Sequence, residues 1–506
     1  MLHRFITVLA TLIFVGLSPA LAENDQVLDV VAPFEIKGTD PSLSGDIFLK
    51  MGIVETLVDA DRDGNPTPAL AESWERSEDA TVWRFKLRPG VRFHDGSMLS
   101  ADSVVKSLTV ARSKPGILDK APITRIEADG DDVVIRLSKP FAPLLAFLAE
   151  NRAQILSLGS FSATDEVTSV IGTGAYRLTS LQAPQKLTTE VFPDYWGDKP
   201  VIGGTTYLAV GRAETRALMA ESGDADYVLN LDPASRTRLA ASDKVDVLAV
   251  SIPRSVLLKV NAGHPFLDDV KARQALSLAI DREGIAAAIL RYPAAADQLF
   301  PPSVGTWHNA SIAPLAHDVE KAKALLAELG WKPGADAVLE RDGKRFSLTL
   351  TTYPDRPELP LIAAVLQEQF REIGVEVTIN STNSSEIPAK HQDGSLEIGL
   401  VARNFALAPD PIATVLQDYP PKGGDWGAMN WSNPEFETLI AALATASSTE
   451  DGQTLRDKAV AILQDELPVI PIAWYQQTAG VSKSVKGAAI DPFERSFGIS
   501  KMRWAE

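Results

Sequence analysis

A serine and a lysine stand three residues apart in Ser103-Val104-Val105-Lys106, an arrangement in which a lysine amine can activate a serine nucleophile. That chemistry needs company. The Ser-Asp-Asn and Lys-Thr-Gly runs that complete such a site do not occur. Ser100, Asp102 and Ser103 are also what a helix start requires, because their oxygens can accept from the free N–H groups of a first turn. The helix start is the preferred reading, with an exported serine hydrolase as the rival. Asp59, Asp61, Asp63 and Gly64 occupy positions 1, 3, 5 and 6 of a calcium-loop pattern, but position 12 is Leu70 where a bidentate glutamate belongs. A solvated turn fits better. Six histidines, none paired at helical spacing, and no cysteine leave no side-chain metal site. The glycine-rich nucleotide loops and the Gly-x-Ser-x-Gly elbow are missing as well, so no cofactor is expected. Without a catalytic constellation the chain reads as a binder. Its nine tryptophans and eight tyrosines, several of them beside glycine or asparagine, can line a cleft.

The elements that would position these residues follow from periodicity. Trp83, Phe85 and Leu87 alternate with Val82, Arg84, Lys86 and Arg88, the period of a half-buried strand. Pro89-Gly90 turns it, "VRF" reads as a short return strand, and Ser100 caps a helix from Ala101 to about Ala111. Met51 to Val58 reads as a helix. Further on, "IGTGAYRLTSL" and "KLTTEVFPDYWG" suggest a hairpin, and Thr205 to Val210, Arg212 to Ser222 and "ADYVLNL" alternate strand, helix, strand. The same alternation returns in "FSLTLTTY", "ELPLIAAVLQEQFREIG" and "VEVTI", with Gly374 at the helix stop and "LEIGLVAR" as a further strand. This pattern predicts α/β lobes with largely parallel sheets.

The chain has 506 residues, 45% hydrophobic and 23% charged, with a formal net charge of −17. That balance suits a folded chain of several domains, and it repels phosphate backbones, so nucleic acid is not an expected partner. The opening "MLHRFITVLATLIFVGLSPALAENDQ" has a basic start, an apolar run and a small-residue cleavage site at Ala20-Leu21-Ala22. It reads as a secretory signal peptide over residues 1–22. Without a cysteine there is nothing to lipidate, so a free periplasmic protein is expected.

Longer runs carry a resemblance. "LAESWERSEDATVWRFKLRPGVRFHDGSMLSADSVVKSL" is similar to the signature of the family 5 solute-binding proteins of ABC importers, the peptide, nickel and opine group. "GTGAYRL", "DYWGDKP", "KARQALSLAIDREGI", "DVEKAKALLAELGW", "LQEQFREIGVEV" and "LPVIPIAW" follow in the family's order. The resemblance implies an α/β, two-lobed periplasmic binding protein fold (type II, cluster C-like) with an extra subdomain in the N-terminal lobe. Lobe I would take residues 23–65, 171–259 and 478–506, the insertion 66–170, and lobe II 260–477. It implies a monomer that delivers a small-molecule or peptide ligand to the transmembrane subunits of an ABC permease. In peptide-binding members an aspartate shortly before an Asp-Pro step holds the peptide amino terminus. Here Asp410-Pro411 supply the step, while Phe405 to Pro409 contain no acid. The run looks more like the nickel and metallophore group, which places an arginine and an aromatic where Arg403 and Phe405 stand. Arg152 looks placed like a ligand-binding arginine of that group, and Trp426 is a candidate cleft ring. The expected ligand is a short peptide or peptide-like carboxylate, with a metal chelate or an opine as alternatives. A sequence-tolerant peptide holder is a third possibility.

Overall fold

The computed structural model describes residues 27–505 apart from 45, 355, 447 and 448; the leader expected over 1–22 lies outside them. The first strand, β1 (Val27–Ala32), buries four of its six side chains. Between it and the next long run of the main sheet lies a separate unit. Strands β2 (Ala71–Arg76), β3 (Val82–Leu87), β4 (Ile123–Asp129) and β5 (Asp132–Leu137) form an antiparallel sheet in the order β2-β3-β5-β4. The alternation in β3 does what its period implies. Trp83 and Phe85 are buried, while Arg84 reaches Asp129 and Asp132 at 2.5 and 2.9 Å and Lys86 reaches Glu72 at 2.7 Å. Helix α1 (Ala101–Arg112) packs on this sheet. The Ser100 hydroxyl accepts from Ser103 N at 3.2 Å, and the Ser103 hydroxyl accepts from Ser100 N at 3.2 Å.

The main sheet has ten strands. After the unit come β6 (Tyr176–Gln182), β7 (Lys186–Val191), β8 (Gly204–Ala209), helix α2 (Ala213–Ser222), β9 (Tyr227–Leu229) and the long β10 (Val245–Val260). The C-terminal half adds β11 (Ser347–Thr352), helix α3 (Glu358–Glu372), β12 (Glu376–Ser381), β13 (Ile398–Asn404), helix α4 (Ile412–Asp418) and the long β14 (Val469–Ser482). Their order is β6-β7-β8-β1-β9-β14-β10-β13-β11-β12. Two parallel cores, β8-β1-β9 and β13-β11-β12, lie on either side of the antiparallel pair β10–β14. Gly374, at φ +82°, ends α3 in a conformation that side chains resist, and a Cβ there would come within 2.7 Å of Leu339.

Three sequence expectations change. The sheet is mixed rather than largely parallel, because the two long strands and the hairpin β6–β7 pair antiparallel with their neighbours. The helix expected over Met51–Val58 is shorter and earlier, Asp46–Lys50. Gly52 at φ +68° follows it, and the β-branched run beyond goes into short strands at Glu55–Thr56 and Val58–Ala60. The return strand "VRF" contributes only an isolated bridge, Arg92 to Met98.

The buried side chains between residues 66 and 170, such as Phe85 and Phe147, belong to one apolar cluster with those of the C-terminal half, such as Trp307 and Phe370. A backbone bond from Ala142 N to Ala444 O at 2.8 Å joins the two. The N-terminal core around Leu28, Tyr176 and Tyr207 is separate. No helix among the described residues is long and apolar enough to cross a membrane.

Candidate functional site

Open α/β sheets place ligands outside the carboxyl ends of their parallel strands. Here the two parallel cores direct those ends to one place. Strand β9 ends at Leu229 opposite Ala479 of β14, and β13 ends at Asn404 opposite Arg254 of β10. Between them β10 and β14 lose register, between Ser251 and Ser255. Pro253 sits in that gap and has no N–H for the ladder.

The chain buries a dense group of charges at this crossing. Arg254 is 6% exposed and donates from Nη2 to Glu494 Oε2 at 2.6 Å. Its Nε and Nη1 are buried with no hydrogen-bond partner among the described residues. Asn404 Nδ2 reaches the same glutamate oxygen at 3.4 Å. The guanidinium groups of Arg254 and Arg356 both lie over the ring of Tyr475, 5.2 and 5.1 Å from its centroid. Glu358, at the start of α3, keeps Oε1 buried and unpartnered, and burial raises its carboxyl above the usual range. Gln477 donates to Asn230 and likewise leaves its Oε1 buried and unpartnered. Such groups carry a desolvation penalty unless something answers them. Phe34, Lys50, Tyr227, Leu229, Gln477 and Glu494 line a cavity of about 20 Å³ beside this cluster. That is room for about one water.

The four residues singled out from sequence are not brought together. Arg403 is 8% exposed and forms a two-point ion pair with Asp418 of α4, through Nε to Oδ2 and Nη2 to Oδ1, the latter at 2.8 Å. Phe405 is fully buried, its ring 4.8 Å from that of Phe300. Arg152 lies away from the crossing strands, and its half-exposed side chain donates to Pro115 O at 3.2 Å. Trp426 lies edge-on to Tyr353 with centroids 6.3 Å apart. Its loop is tied down by Lys259, a fully buried lysine that donates to the carbonyls of Gly424, Gly427 and Ala428 at 2.7, 2.6 and 3.2 Å. Burial pulls the Lys259 amine down to about 7.

The other motifs resolve into scaffold. Ser103 is 1% exposed and donates to Ser100 O at 2.7 Å, while Lys106 pairs with Asp165. In the calcium-like stretch, Asp61 collects the N–H groups of Asp63 and Asn65 at 2.9 Å each and Asn65 Nδ2 at 3.0 Å. Those bonds, led by the Asn65 side chain, hold its carboxyl below the usual range. Gly64 in this turn has φ +84°, and a Cβ on it would come within 2.8 Å of Pro409 O and of the Phe493 ring. Among the described residues no group of three or more His, Cys, Asp or Glu could hold a metal ion.

Sequence reasoning missed Arg254, Arg356 and Glu494, while Tyr475 was among the rings it offered for a cleft. One signal was available. An arginine directly after a proline inside the apolar run "VLAVSIPRSVLLKV" marks both a break in a strand and a charge that needs a reason to be buried.

The comparisons with known proteins agree with this architecture. The model of bacterial extracellular solute-binding proteins, family 5 (middle), matches residues 65–425. The dipeptide-binding protein of Escherichia coli (strain K12) is 28% identical over 463 residues, covering 84% of each chain. The nickel-binding periplasmic protein of the same strain is 28% identical over 447 residues, covering 85% of this chain and 84% of that one. NikA from Brucella suis, solved in complex with Fe(III)-EDTA, superposes with a TM-score of 0.86 at 23% identity, over 94% of this chain and 99% of that one. The fold is therefore the two-lobed, type II periplasmic binding protein fold. The chain belongs to the bacterial extracellular solute-binding proteins of family 5.

Proposed function

We propose that this protein captures a short peptide or peptide-like carboxylate between its two lobes and delivers it to the permease of an ABC importer. It does so as a free periplasmic monomer after loss of its leader. One observation carries the ligand class: the Nε and Nη1 donors of Arg254, buried and unpartnered where the strand ends of both lobes meet. A carboxylate is the group that best satisfies guanidinium donors, and it would relieve the burial of an incompletely paired charge. Closure is then a population shift, driven only by contacts that the closed state makes better. The lobe limits in this reading are 23–65, 171–259 and 478–506 against 260–477, with 66–170 inserted; the loss of register near Ser251–Ser255, opposite Trp474 and Gln476, supports the two crossings between the lobes.

In this reading Trp426 walls the outer side of the cleft, and Arg403 and Phe405 are framework. Arg152 serves the inserted unit. A metal would have to arrive as a chelate carrying its own ligands, since the described residues offer no donor group for it. Hydrolysis finds no support, because the Ser103 hydroxyl is buried and engaged.

The test is calorimetric titration with a dipeptide panel. The wild-type protein should saturate at one ligand per chain. Arg254→Gln should weaken binding by about 1.5–3 kcal/mol, the range for hydrogen bonds to a charged group. Unchanged affinity would remove Arg254 from the role.

A further inference from the structure

The C-terminal segment around Glu494 is built unlike the rest of the cleft wall. Glu494 has φ +55°, a left-handed conformation that a non-glycine residue resists. Strain of this kind persists where the surroundings over-determine it, and it concentrates at functional sites. The surroundings here are explicit. Asp491 accepts from Phe493 N, Arg495 N and Ser496 N at 2.9, 3.1 and 3.1 Å, which fixes the turn. Arg495 then points one way, to Asp59 at 2.7 Å and to the Ala149 carbonyl, tying the segment both to the strand ahead of the 66–170 insertion and to the insertion itself. Glu494 points the other way, to the crossing strand and to the end of β13. Across the cavity Asn230, also left-handed at φ +57°, meets Gln477.

The Glu494 carboxylate is only half used. Oε2 accepts from Arg254 and Asn404, while Oε1 has no hydrogen-bond partner among the described residues and its side chain lines the cavity. Gln477, 3% exposed, lines the same cavity with its unpartnered Oε1. Two acceptors without a hydrogen-bond donor among the described residues therefore belong to side chains lining the cavity, beside a Lys50 ammonium held by Asp46, and the neighbouring arginine holds two donors without acceptors. A solute carrying both an ammonium and a carboxylate complements both sets. A purely anionic solute leaves the acceptors unanswered, and a bare cation leaves the arginine so.

We propose that Glu494 is a specificity-determining residue that, with Gln477 beside it, takes the ammonium of a zwitterionic solute whose carboxylate sits on Arg254. This rests on the cleft reading above and deepens it: the ligand class narrows to amino-acid conjugates and peptides with a free amine. The anchor for the amine then comes from the C-terminal segment and not from the run after β13, whose residues Phe405 to Pro409 contain no acid.

The experiment uses matched probes, X-Glu and Glu-X dipeptides and N-(1-carboxyethyl) amino acids, each with its N-acetyl counterpart, titrated against the full protein. In the wild type at least one free-amine probe should bind roughly tenfold or more tighter than its acetylated partner. Glu494→Gln keeps the size and the hydrogen bonding of the side chain but not its charge. It should collapse that preference to less than about threefold by weakening the free-amine form alone. Arg254→Gln should weaken both members of the pair. A preference that survives in Glu494→Gln, or a wild type that binds no probe or shows no preference, overturns the proposal. If Arg254→Gln still binds the probes as tightly as wild type, the cleft reading itself fails, and that outcome is distinct from a failure confined to Glu494.

Discussion

Two buried arginines on paired strands of the same sheet show how to tell scaffold from site. Arg403 on β13 spends its guanidinium on Asp418, which is 1% exposed, through Nε and Nη2 together. Arg254 on β10 meets Glu494 through Nη2 alone and leaves Nε and Nη1 buried and unpartnered. Both are charges taken out of water, and both have an acid beside them. One is completed by the fold and the other is not. An ion pair that closes on itself fixes a helix to a strand, whereas one with donors to spare can be completed by a solute.

The comparison can be broken by removing each arginine in turn. Arg403→Met should cost about 3–5 kcal/mol of stability in chemical denaturation, because Asp418 is left buried with a partner missing. The fraction that stays folded should bind solute with unchanged affinity. Arg254→Gln should do the reverse, losing about 1.5–3 kcal/mol of binding with a smaller loss of stability. If both variants lose affinity equally, the distinction between a completed and an incomplete pair fails.

Glu150 sharpens the contrast from the acid side. It is 5% exposed, and the donors near it are Arg152 N at 3.0 Å and Arg152 Nε at 3.9 Å. Burial pushes its carboxyl up from 4.5 to about 7. Between those values the folded chain holds a proton that the unfolded chain has lost. Its contribution is therefore complete below about pH 4.5 and is lost as pH rises to about 7. In Glu150→Gln the difference in unfolding free energy between about pH 5 and about pH 8 should shrink by about 1–3 kcal/mol. An unchanged difference would show that Glu150 is already compensated. The smallest effect belongs to Ser103→Ala, which removes one half of a reciprocal cap. Stability should fall by about 1 kcal/mol or less with solute affinity intact, and lost affinity would contradict the scaffold reading of α1.

What could be read from the sequence depended on the range of the interaction. Helix α1, with its start at Ser100, and the strand–helix–strand run from β11 to β12 were legible because caps, glycine stops and periodicity are local. The helix expected at Met51–Val58 failed because apolar residues there satisfy either period, and Gly52 with the β-branched residues after it decides for strands. The candidate site was missed by one residue at β13. Side chains alternate along a strand, so Asn404 reaches Glu494 while Arg403, its neighbour, faces the opposite side and Asp418. Arg254 and Glu494 are 240 residues apart. No local pattern joins them, and only the pairing of the two long strands and the return of the C-terminal segment bring them into contact.

The proposed role of Arg254 is to hold a solute carboxylate. Native mass spectrometry of wild-type and Arg254→Gln protein, purified side by side from periplasm and then denatured to release what they carry, tests it most directly. The wild type should carry one small carboxylate-bearing adduct per chain, lost or strongly reduced in the variant. An adduct without a carboxylate, or one retained at equal occupancy by Arg254→Gln, would contradict it.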